Sequence, residues 1–533
     1  MQSIESHTQN NMAMQVVVVV AEYLNSYISI SLISLLSIFL IRHFFFSNSP
    51  TGLRLMPSPF SLPVLGHLHL LAPIPHQALY KVSLRHGPLF HLRLGSVPCV
   101  IACSTDTARL FLKNYDAIFS DRPQSAAVKY LLFNSSSFAF APYGPYWRFM
   151  KKLCMTDLLG NRTLGQLKHV RREELRRLMK HISCMAAQGN AFNVGEEIMK
   201  HANNIVSTMA MNIRCSGSDK DAEVVRNVVK EVAELAGRFN LGDYIPVFEK
   251  LDLQGFKKRF EVARKSFDEL MERILKKREE ERRTKKETGL VGGDGERVKD
   301  LLDILLDIYE DKEAEMRLTK DNIKAFILDM FVGGSDTSGI TIDWALGELL
   351  THPSVLQKAV AEIDSVVGKS RLVDESDIPN LPYLQAIVKE TLRLHPSGPL
   401  IPRMSTEDCT VGGYDIPANT RLFINVWAIN RDPNYWKDPL RFYPERFIEE
   451  EQQATDIRGQ HFHMLPFGGG RRSCPGASLA LLVIQPTLAA MIQCFDWKVN
   501  SPVDMTEGLG ITLPRAQPLM CLPICRLDSF PLA

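Results

Sequence analysis

The sequence lacks an excess of charge of either sign. Its 533 residues include 62 lysines and arginines against 60 aspartates and glutamates, so the net charge is +2. A nucleic-acid-binding protein usually concentrates positive charge on one face or segment. The charge balance therefore predicts that nucleic acid is not a partner. Hydrophobic residues make up 45% of the chain, which is enough for a large core and is not typical of a disordered protein.

The sequence also lacks paired cysteines. Its ten cysteines are scattered without a C-x-x-C pair, which argues against a disulfide framework and predicts a reducing compartment. His461 and His463 precede Cys474, but a fourth zinc ligand is not evident, so a zinc site is disfavoured. We therefore expect one large helical domain that is stabilised by its apolar core.

Cys474 stands at the end of a glycine-rich loop, and an apolar, helix-forming run follows it. Glycines allow backbone N–H groups to approach a sulfur closely, and such donors tune a metal bound by the thiolate. Phe467 can cover one side of the sulfur, and Arg472 is within reach of an acidic group on the same cofactor. The loop therefore predicts a haem iron bound by Cys474. The alternative is a structural cysteine after a glycine turn.

The residues that match the pattern F-x-x-G-x-R-x-C-x-G are Phe467, Gly470, Arg472, Cys474 and Gly476. In this pattern the sequence resembles the cytochrome P450 superfamily. The resemblance implies a mainly α-helical fold with a small β-rich subdomain over residues 67–533. It also implies heme b (iron-thiolate) with Cys474 as the axial ligand, and Phe467 and Arg472 as cofactor-binding residues. The expected oxidant is O2, and the expected electron source is NADPH, through NADPH-cytochrome P450 reductase as a partner.

Further cofactor contacts are expected from Trp147, Lys151 and Arg403. Trp147 and Lys151 are four residues apart and share a face of a predicted helix. An indole N–H and an ammonium can both bond a haem propionate. The resemblance implies that Arg403 makes a third propionate contact.

A structural role is expected for Glu390, Arg393 and Arg446. Glu390 and Arg393 lie on one face of a predicted helix, which alone is weak evidence because helices contain many such pairs. The motif Pro-Glu-Arg-Phe that contains Arg446 strengthens it. The resemblance implies a buried network that stabilises the fold and takes no part in the chemistry.

The periodicity of residues 319–352 predicts one long helix with a weak point in its middle. Each glycine costs a helix about 1 kcal/mol, and Gly333 and Gly339 flank this point. The segment resembles the oxygen-activation motif of the family, which implies that Asp336 and Thr337 are catalytic residues that deliver protons. Most plant relatives carry alanine where Gly333 and Gly339 stand, so we expect a looser helix here.

Residues 1–46 are expected to contain a membrane anchor. The apolar run around 28–41 approaches the length of about 20 residues that a bilayer span needs. Cationic residues follow it from Arg42 onward, which places the bulk of the chain in the cytosol. We expect a single-pass protein of the endoplasmic reticulum membrane in contact with lipid, and a proline-rich hinge at 47–66. A cleaved signal peptide is the alternative.

The stretches 122–127, 142–155, 415–418 and 458–463 resemble a plant microsomal group that oxidises flavonoids, and the likeness to flavone synthase II is greatest. The resemblance implies a flavanone-type substrate that is desaturated to a flavone. The alternatives are flavanone 2-hydroxylation and pterocarpan or triterpenoid hydroxylation. A redox-silent haem-binding protein is a further alternative from another class. The expected substrate-pocket residues are Phe133, Phe138, Gly333, Leu400, Ile401 and Ile511.

Overall fold

Helices make up most of the fold, as the sequence predicts. The computed structural model describes residues 26–38, 54–133, 136–216, 220–287, 298–449 and 454–527. In chain order the helices α1 to α18 are Ser26–Ile38, Pro75–His86, Thr105–Arg109, Ala126–Tyr130, Pro145–Leu153, Asn161–Gln166, Lys168–Gln188, Val194–Met211, Lys220–Ala236, Pro246–Leu251, Phe256–Glu287, Leu301–Glu310, Lys320–Gly334, Asp336–Thr351, Pro353–Val366, Pro382–Leu394, Val426–Ile429 and Ala477–Cys494.

The strands form small sheets at the periphery of the helices. The strands β1 to β9 are Leu89–Leu94, Val97–Ala102, Phe192–Asn193, Leu400–Met404, Cys409–Val411, Tyr414–Ile416, Arg421–Asn425, Phe495–Lys498 and Met520–Cys525. The largest sheet has the order β1-β2-β7-β4, in which β2 and β7 are parallel. β1 and β2 form a hairpin, in which Leu89 pairs with Ala102 and Gly95 turns the chain at φ +59°.

The helix predicted over 319–352 is present, but it is divided. α13 ends at Gly334 and α14 begins at Asp336, with Ser335 between them at φ −85° and ψ −67°. Both halves pack against α8, and α14 also packs against α16 and α18. Ser335 is buried, so the break lies in the interior of the fold.

Helix α18 follows the cysteine loop and belongs to the core. Among the described residues it is the one helix that is long and apolar enough to cross a membrane, but 72% of it is buried inside the molecule. We therefore assign it as a core helix. α1 is apolar and shorter, and most of the predicted anchor segment, 1–46, lies outside the described residues.

The predicted proline-rich hinge, 47–66, is described in its larger, C-terminal part. There it lies against the first strand of the main sheet. The His91 N–H donates to Pro57 O at 2.9 Å. Gly66 has φ +58°, and a Cβ at this position would collide with the carbonyl of Arg93. The described part of the hinge is therefore fixed to the sheet.

Candidate active site

The loop before α18 surrounds one sulfur with hydrogen-bond donors. The Cys474 N–H donates to Phe467 O at 2.9 Å and closes the loop. The backbone amides of Gly476 and Ala477 adjoin the sulfur, and a Cβ built on Gly476 would lie 3.8 Å from it. Burial raises the pKa of the Cys474 thiol, while these amides and the nearby Lys151 ammonium lower it. The pKa remains raised on balance, so the amides and Lys151 offset only part of the cost of burying a negatively charged sulfur.

Two glycines of this loop have a left-handed backbone, Gly468 at φ +70° and Gly470 at φ +67°. A Cβ at Gly470 would lie 2.5 Å from Asp116 Oδ1 and 2.7 Å from Leu112 O. Asp116 also accepts a hydrogen bond from the Arg471 N–H at 2.9 Å. The loop is thus packed closely against the segment that contains Asp116, and side chains larger than hydrogen do not fit at Gly470.

Cys474 and Gly333 are both less tightly surrounded than their neighbours in the sequence would suggest. Cys474 has an exposed surface, although burial raises its pKa. Gly333 is part of the core helix α13, and no heavy atom lies within 4 Å of a Cβ built on it. A group that is deep in the protein and yet accessible lines an internal space. The central helix and the cysteine loop therefore both border such space.

Three arginines bring positive charge together near the cysteine loop. Arg403 is buried, and its Nε and Nη2 have no hydrogen-bond partner among the described residues, nor do Arg472 Nη1 and Arg122 Nε. Burial, and then Arg122 and Arg472, hold the pKa of Arg403 well below its usual range. Burial lowers the pKa of Arg472 to about 9. Buried cations require anionic partners, so this cluster fits the two propionates of a haem.

Helix α5 presents Trp147 and Lys151 at the edge of this cluster. Arg472 Cζ lies 4.5 Å from the centroid of the Trp147 ring, and the Phe138 ring stacks on Trp147 at 5.9 Å and 16°. Lys151 Nζ donates to Ser473 O at 2.7 Å. Trp147 therefore positions Arg472, and the Lys151 ammonium bonds the cysteine loop itself.

Asp336 and Thr337 form the first turn of α14, directly after the helix break. The Thr337 hydroxyl donates to Gly333 O at 2.9 Å, and the Ser397 hydroxyl donates to Thr337 O at 3.0 Å. Burial raises the pKa of the Asp336 carboxyl. A carboxyl whose pKa is raised exchanges protons more readily near neutral pH. The pair can therefore hold and pass a proton at the break.

The two glycines that depart from the usual family pattern have different surroundings. A Cβ at Gly339 would collide with Met199 Sδ on α8, so close packing of two helices accounts for this glycine. The close packing around Gly339 therefore argues against the looser helix that the sequence predicts there. Gly333 meets nothing within 4 Å and instead enlarges the open space beside α13.

Phe133 packs against α11. It has φ +60°, its ring centroid lies 3.1 Å from Arg264 Cζ, and the Phe267 ring lies 6.0 Å away, edge to face. Phe138, from the same loop, is instead on the side of Trp147. The structure therefore separates these two predicted pocket residues. Phe133 contributes to the packing between the loop and α11.

The remaining predicted pocket residues lie in β4 and in the turn before β9. Ile401 is buried in β4, and its Cδ1 lies 3.7 Å from a Cβ built on Gly468 of the cysteine loop. Leu400 is half-buried in the same strand. Ile511 is exposed. Ile401 is therefore the member of this set that the structure brings directly to the cysteine loop.

Glu390, Arg393 and Arg446 form one buried network. Arg393 Nε donates to Glu390 Oε2 at 2.7 Å, and Arg446 Nε donates to Glu390 Oε1 at 3.0 Å. Arg393 also donates to the carbonyls of Asn430 and Pro439. The carboxylate thus balances two buried guanidinium groups and connects α16 to the segment that leads to the cysteine loop.

Arg122 and Asp329 also belong to this region, although no motif in the sequence identifies them. Arg122 adds a cation beside Arg403 and Arg472. Asp329 lies on α13, two helical turns before Asp336, and accepts hydrogen bonds from the loop that contains Phe138. The available signals were an Arg-Pro pair before an apolar loop and an isolated acid in an apolar helical run. Both patterns are common in proteins, so neither identifies a site.

Comparisons with known proteins agree with this geometry. A family model described as Cytochrome P450 matches residues 56–522. The chain is 54% identical to 3,9-dihydroxypterocarpan 6A-monooxygenase of Glycine max, over 90% of this chain and 94% of that protein. It is 41% identical to 2-hydroxyisoflavanone synthase of Glycyrrhiza echinata, over 91% of this chain and 95% of that protein.

A solved structure agrees as well. A zebra fish cytochrome P450 with progesterone is 25% identical and has a TM-score of 0.72, covering 85% of this chain and 99% of that one. The family model matches far more than half of the chain, and the cysteine loop and the buried arginines without partners suit the cofactor of that family. The chain therefore belongs to the cytochrome P450 family.

Proposed function

We propose that this cytochrome P450 oxidises a fused-ring phenolic compound of the flavonoid type. As a member of its family it is a monooxygenase that uses haem, O2 and electrons derived from NADPH. The observation that carries the proposal is the 54% identity, over 90% of this chain, to an enzyme named as a dihydroxypterocarpan monooxygenase. A further relative is named for a 2-hydroxyisoflavanone. Hydroxylation of a pterocarpan-type skeleton is therefore the first candidate.

The second candidate is conversion of a flavanone to a flavone, the activity of flavone synthase II. It is supported by the likeness of residues 142–155 and 458–463 to that group of enzymes. Flavanone 2-hydroxylation would need the same substrate orientation. Triterpenoid hydroxylation is supported by 46% identity to a beta-amyrin 24-hydroxylase of Glycine max.

Cys474 is the proposed axial ligand of the haem iron, and Phe467 is the residue proposed to cover the sulfur. When bound, the haem supplies an iron centre that activates O2 for attack on a C–H bond. The amide N–H groups around Cys474 stabilise the thiolate and so favour this ligation. The residues proposed to hold the propionate side of the cofactor are Arg122, Trp147, Lys151, Arg403 and Arg472.

Asp336 and Thr337 are the proposed proton-handling residues. The raised pKa of the Asp336 carboxyl allows it to take a proton from solvent and release it again. The Thr337 hydroxyl donates to Gly333 O, so its oxygen can accept a hydrogen bond while its hydrogen remains engaged. Together they control where protons reach the reacting oxygen.

The substrate would be held over the cofactor by apolar side chains. These exclude water and orient one C–H bond, which is the main contribution that a protein makes to such a reaction. Phe133 acts through the packing of its loop against α11. The proposed pocket residues are Phe138, Gly333, Leu400, Ile401 and Ile511.

We propose that the chain is anchored in the endoplasmic reticulum membrane through residues 1–46, with its catalytic domain in the cytosol. The reductase that delivers electrons would dock at exposed cations, of which Arg441 and Arg471 are candidates. Replacing both with glutamine should slow reduction by the reductase and leave reduction by dithionite unchanged. An equal rate with the reductase would contradict this docking site.

The test of the substrate proposal is turnover by anchored enzyme with reductase and NADPH. The panel contains a dihydroxypterocarpan, the flavanone naringenin and beta-amyrin. A hydroxylated pterocarpan supports the first candidate, whereas apigenin from naringenin supports the second. Oxidation of beta-amyrin alone would contradict a flavonoid-type substrate. The variant Cys474→Ala should give no product with any of the three compounds.

A further inference from the structure

Asp329 connects the central helix to the loop of residues 136–141. Its Oδ1 accepts a hydrogen bond from the Ser137 hydroxyl at 2.7 Å, and its Oδ2 accepts one from the Ala139 N–H at 3.2 Å. Ser137 is fully buried, and Asp329 is half-buried. A short loop without regular structure is thus fastened to α13 by one carboxylate.

The other end of the same loop contacts the residues that are proposed to hold the cofactor. Arg472 Nη2 donates to the carbonyl of Ala141, and Phe138 stacks on Trp147. Trp147 in turn lies 4.5 Å from Arg472 Cζ. Contacts therefore run without interruption from Asp329 through the loop to the cation that is proposed to hold a propionate.

We propose that Asp329 is a positioning residue that holds loop 136–141 against α13, and thereby fixes both one wall of the substrate pocket and the Trp147–Arg472 pair. The effect on the pocket wall rests on the proposed function, because Phe138 is a proposed pocket residue. The fastening of the loop and of Arg472 rests on the contacts alone. In this proposal Asp329 acts through the loop, by its bonds to Ser137 and Ala139.

The electrostatic surroundings make this fastening sensitive to pH. Burial raises the pKa of the Asp329 carboxyl to about 7, while the bonds from the loop lower it, as does the charge of Arg122. The other titratable groups that face it are Tyr146 and Cys154. Asp329 therefore binds a proton more tightly under the closed loop than it would in water, where a carboxyl has a pKa of about 3.9.

The sign of the pH dependence follows from linkage, for an open state in which solvent reaches the Asp329 carboxyl. A proton that is bound more tightly in the closed state stabilises that state at low pH. Raising the pH from about 5 to about 7 should therefore favour opening of the loop, by at most about tenfold per pH unit. Above the pKa of about 7 the dependence should disappear.

The experiment compares Asp329→Asn with Asp343→Asn in the haem-loaded full chain. Asp343 is a matched control, because it lies on the following helix, α14, burial raises its pKa to about 6, and it faces Arg515 at a distance from the loop. Hydrogen exchange at the Ala139 amide reports loop opening, after correction for intrinsic exchange at each pH. The rate of haem dissociation reports how firmly the loop holds Arg472.

Asp329→Asn should make exchange of the Ala139 backbone N–H about tenfold faster at pH 7. The asparagine side chain has one acceptor oxygen, so it cannot accept the bonds from both Ser137 and Ala139. It should speed haem loss and abolish the pH dependence, while Asp343→Asn changes none of these. Ser137→Ala should act in the same direction, and the double variant should be no worse than Asp329→Asn alone. Where a substrate is known, its product ratio should shift as well.

Unchanged exchange at Ala139 in Asp329→Asn, or an equal effect of Asp343→Asn, would overturn the proposal. If Asp329→Asn does not fold, Ser137→Ala carries the test, and an unaltered Ala139 exchange rate in that variant would overturn it. Exchange and haem loss are measured without substrate. A failure of the flavonoid assignment would therefore leave these readouts intact, and the two failures can be distinguished.

Discussion

Arg403 is a buried cation whose Nε and Nη2 have no partner among the described residues. Burying an uncompensated charge costs several kcal/mol. Arg122 and Arg472 add to this cost, because each lowers the pKa of Arg403 further. In the absence of an anionic cofactor the residue is therefore destabilising, and in its presence it is stabilising.

Arg403→Gln should accordingly have opposite effects on the two forms of the protein. The free energy of unfolding of the haem-free chain should rise by about 1–3 kcal/mol, because a buried charge is removed. The haem-loaded protein should lose stability and release haem faster. Urea titration of both forms measures the difference. A change of the same sign in both forms would contradict the role, and exposed Arg85→Gln serves as the control.

At the residue scale, the sequence predicts the groups that belong to a compact motif. Cys474 and Arg472 are two residues apart in one loop, so a short pattern identifies both. Arg122 and Asp329 could not be identified in this way, because each acquires its role from a partner far away in the chain. The electrostatic role of such residues depends on burial by distant parts of the chain, and local spacing in the sequence does not reveal it.

At the scale of elements, the helix break between α13 and α14 is flanked by two glycines with opposite surroundings. Gly333→Ala adds a methyl group where no atom lies within 4 Å, so it should stabilise the fold by up to about 1 kcal/mol through helix propensity. It should also narrow the pocket. Gly339→Ala places a methyl group against Met199 and should cost about 1–3 kcal/mol.

Thermal and denaturant unfolding of the two haem-loaded variants measures this difference in sign. Met199→Ala combined with Gly339→Ala should recover part of the loss, because the colliding side chain is shortened. Stabilisation by Gly339→Ala alone would show that the two helices do not approach each other closely at this point.

The central helix and the first hairpin could be predicted from periodicity, because their apolar residues follow one helix face or alternate along strands. The course of the loop before α5 could not. Phe133 takes φ +60° and packs against Arg264, a residue of a helix far along the chain. Such a conformation depends on tertiary contacts that leave no local pattern in the sequence.

At the scale of the whole molecule, the part of the chain from Arg54 onward should fold without the residues before it. The described part of the hinge is bonded to β1 through Pro57, and Arg54 N donates to Asp415 Oδ2 at 3.0 Å. Removing residues 2–53 should therefore move the protein out of the membrane fraction and leave its haem content unchanged. Centrifugation and haem quantification check this. Loss of haem on truncation would contradict it.

The central claim is that the sulfur of Cys474 binds the haem iron as a thiolate. The absorption spectrum of the reduced protein with carbon monoxide tests it most directly, because thiolate ligation shifts the main haem band to long wavelength. We expect the thiolate-type band in the full-length protein and its loss in Cys474→Ala. A band at the position of histidine-ligated haem in the unaltered protein, or a thiolate-type band that survives Cys474→Ala, would contradict the assignment.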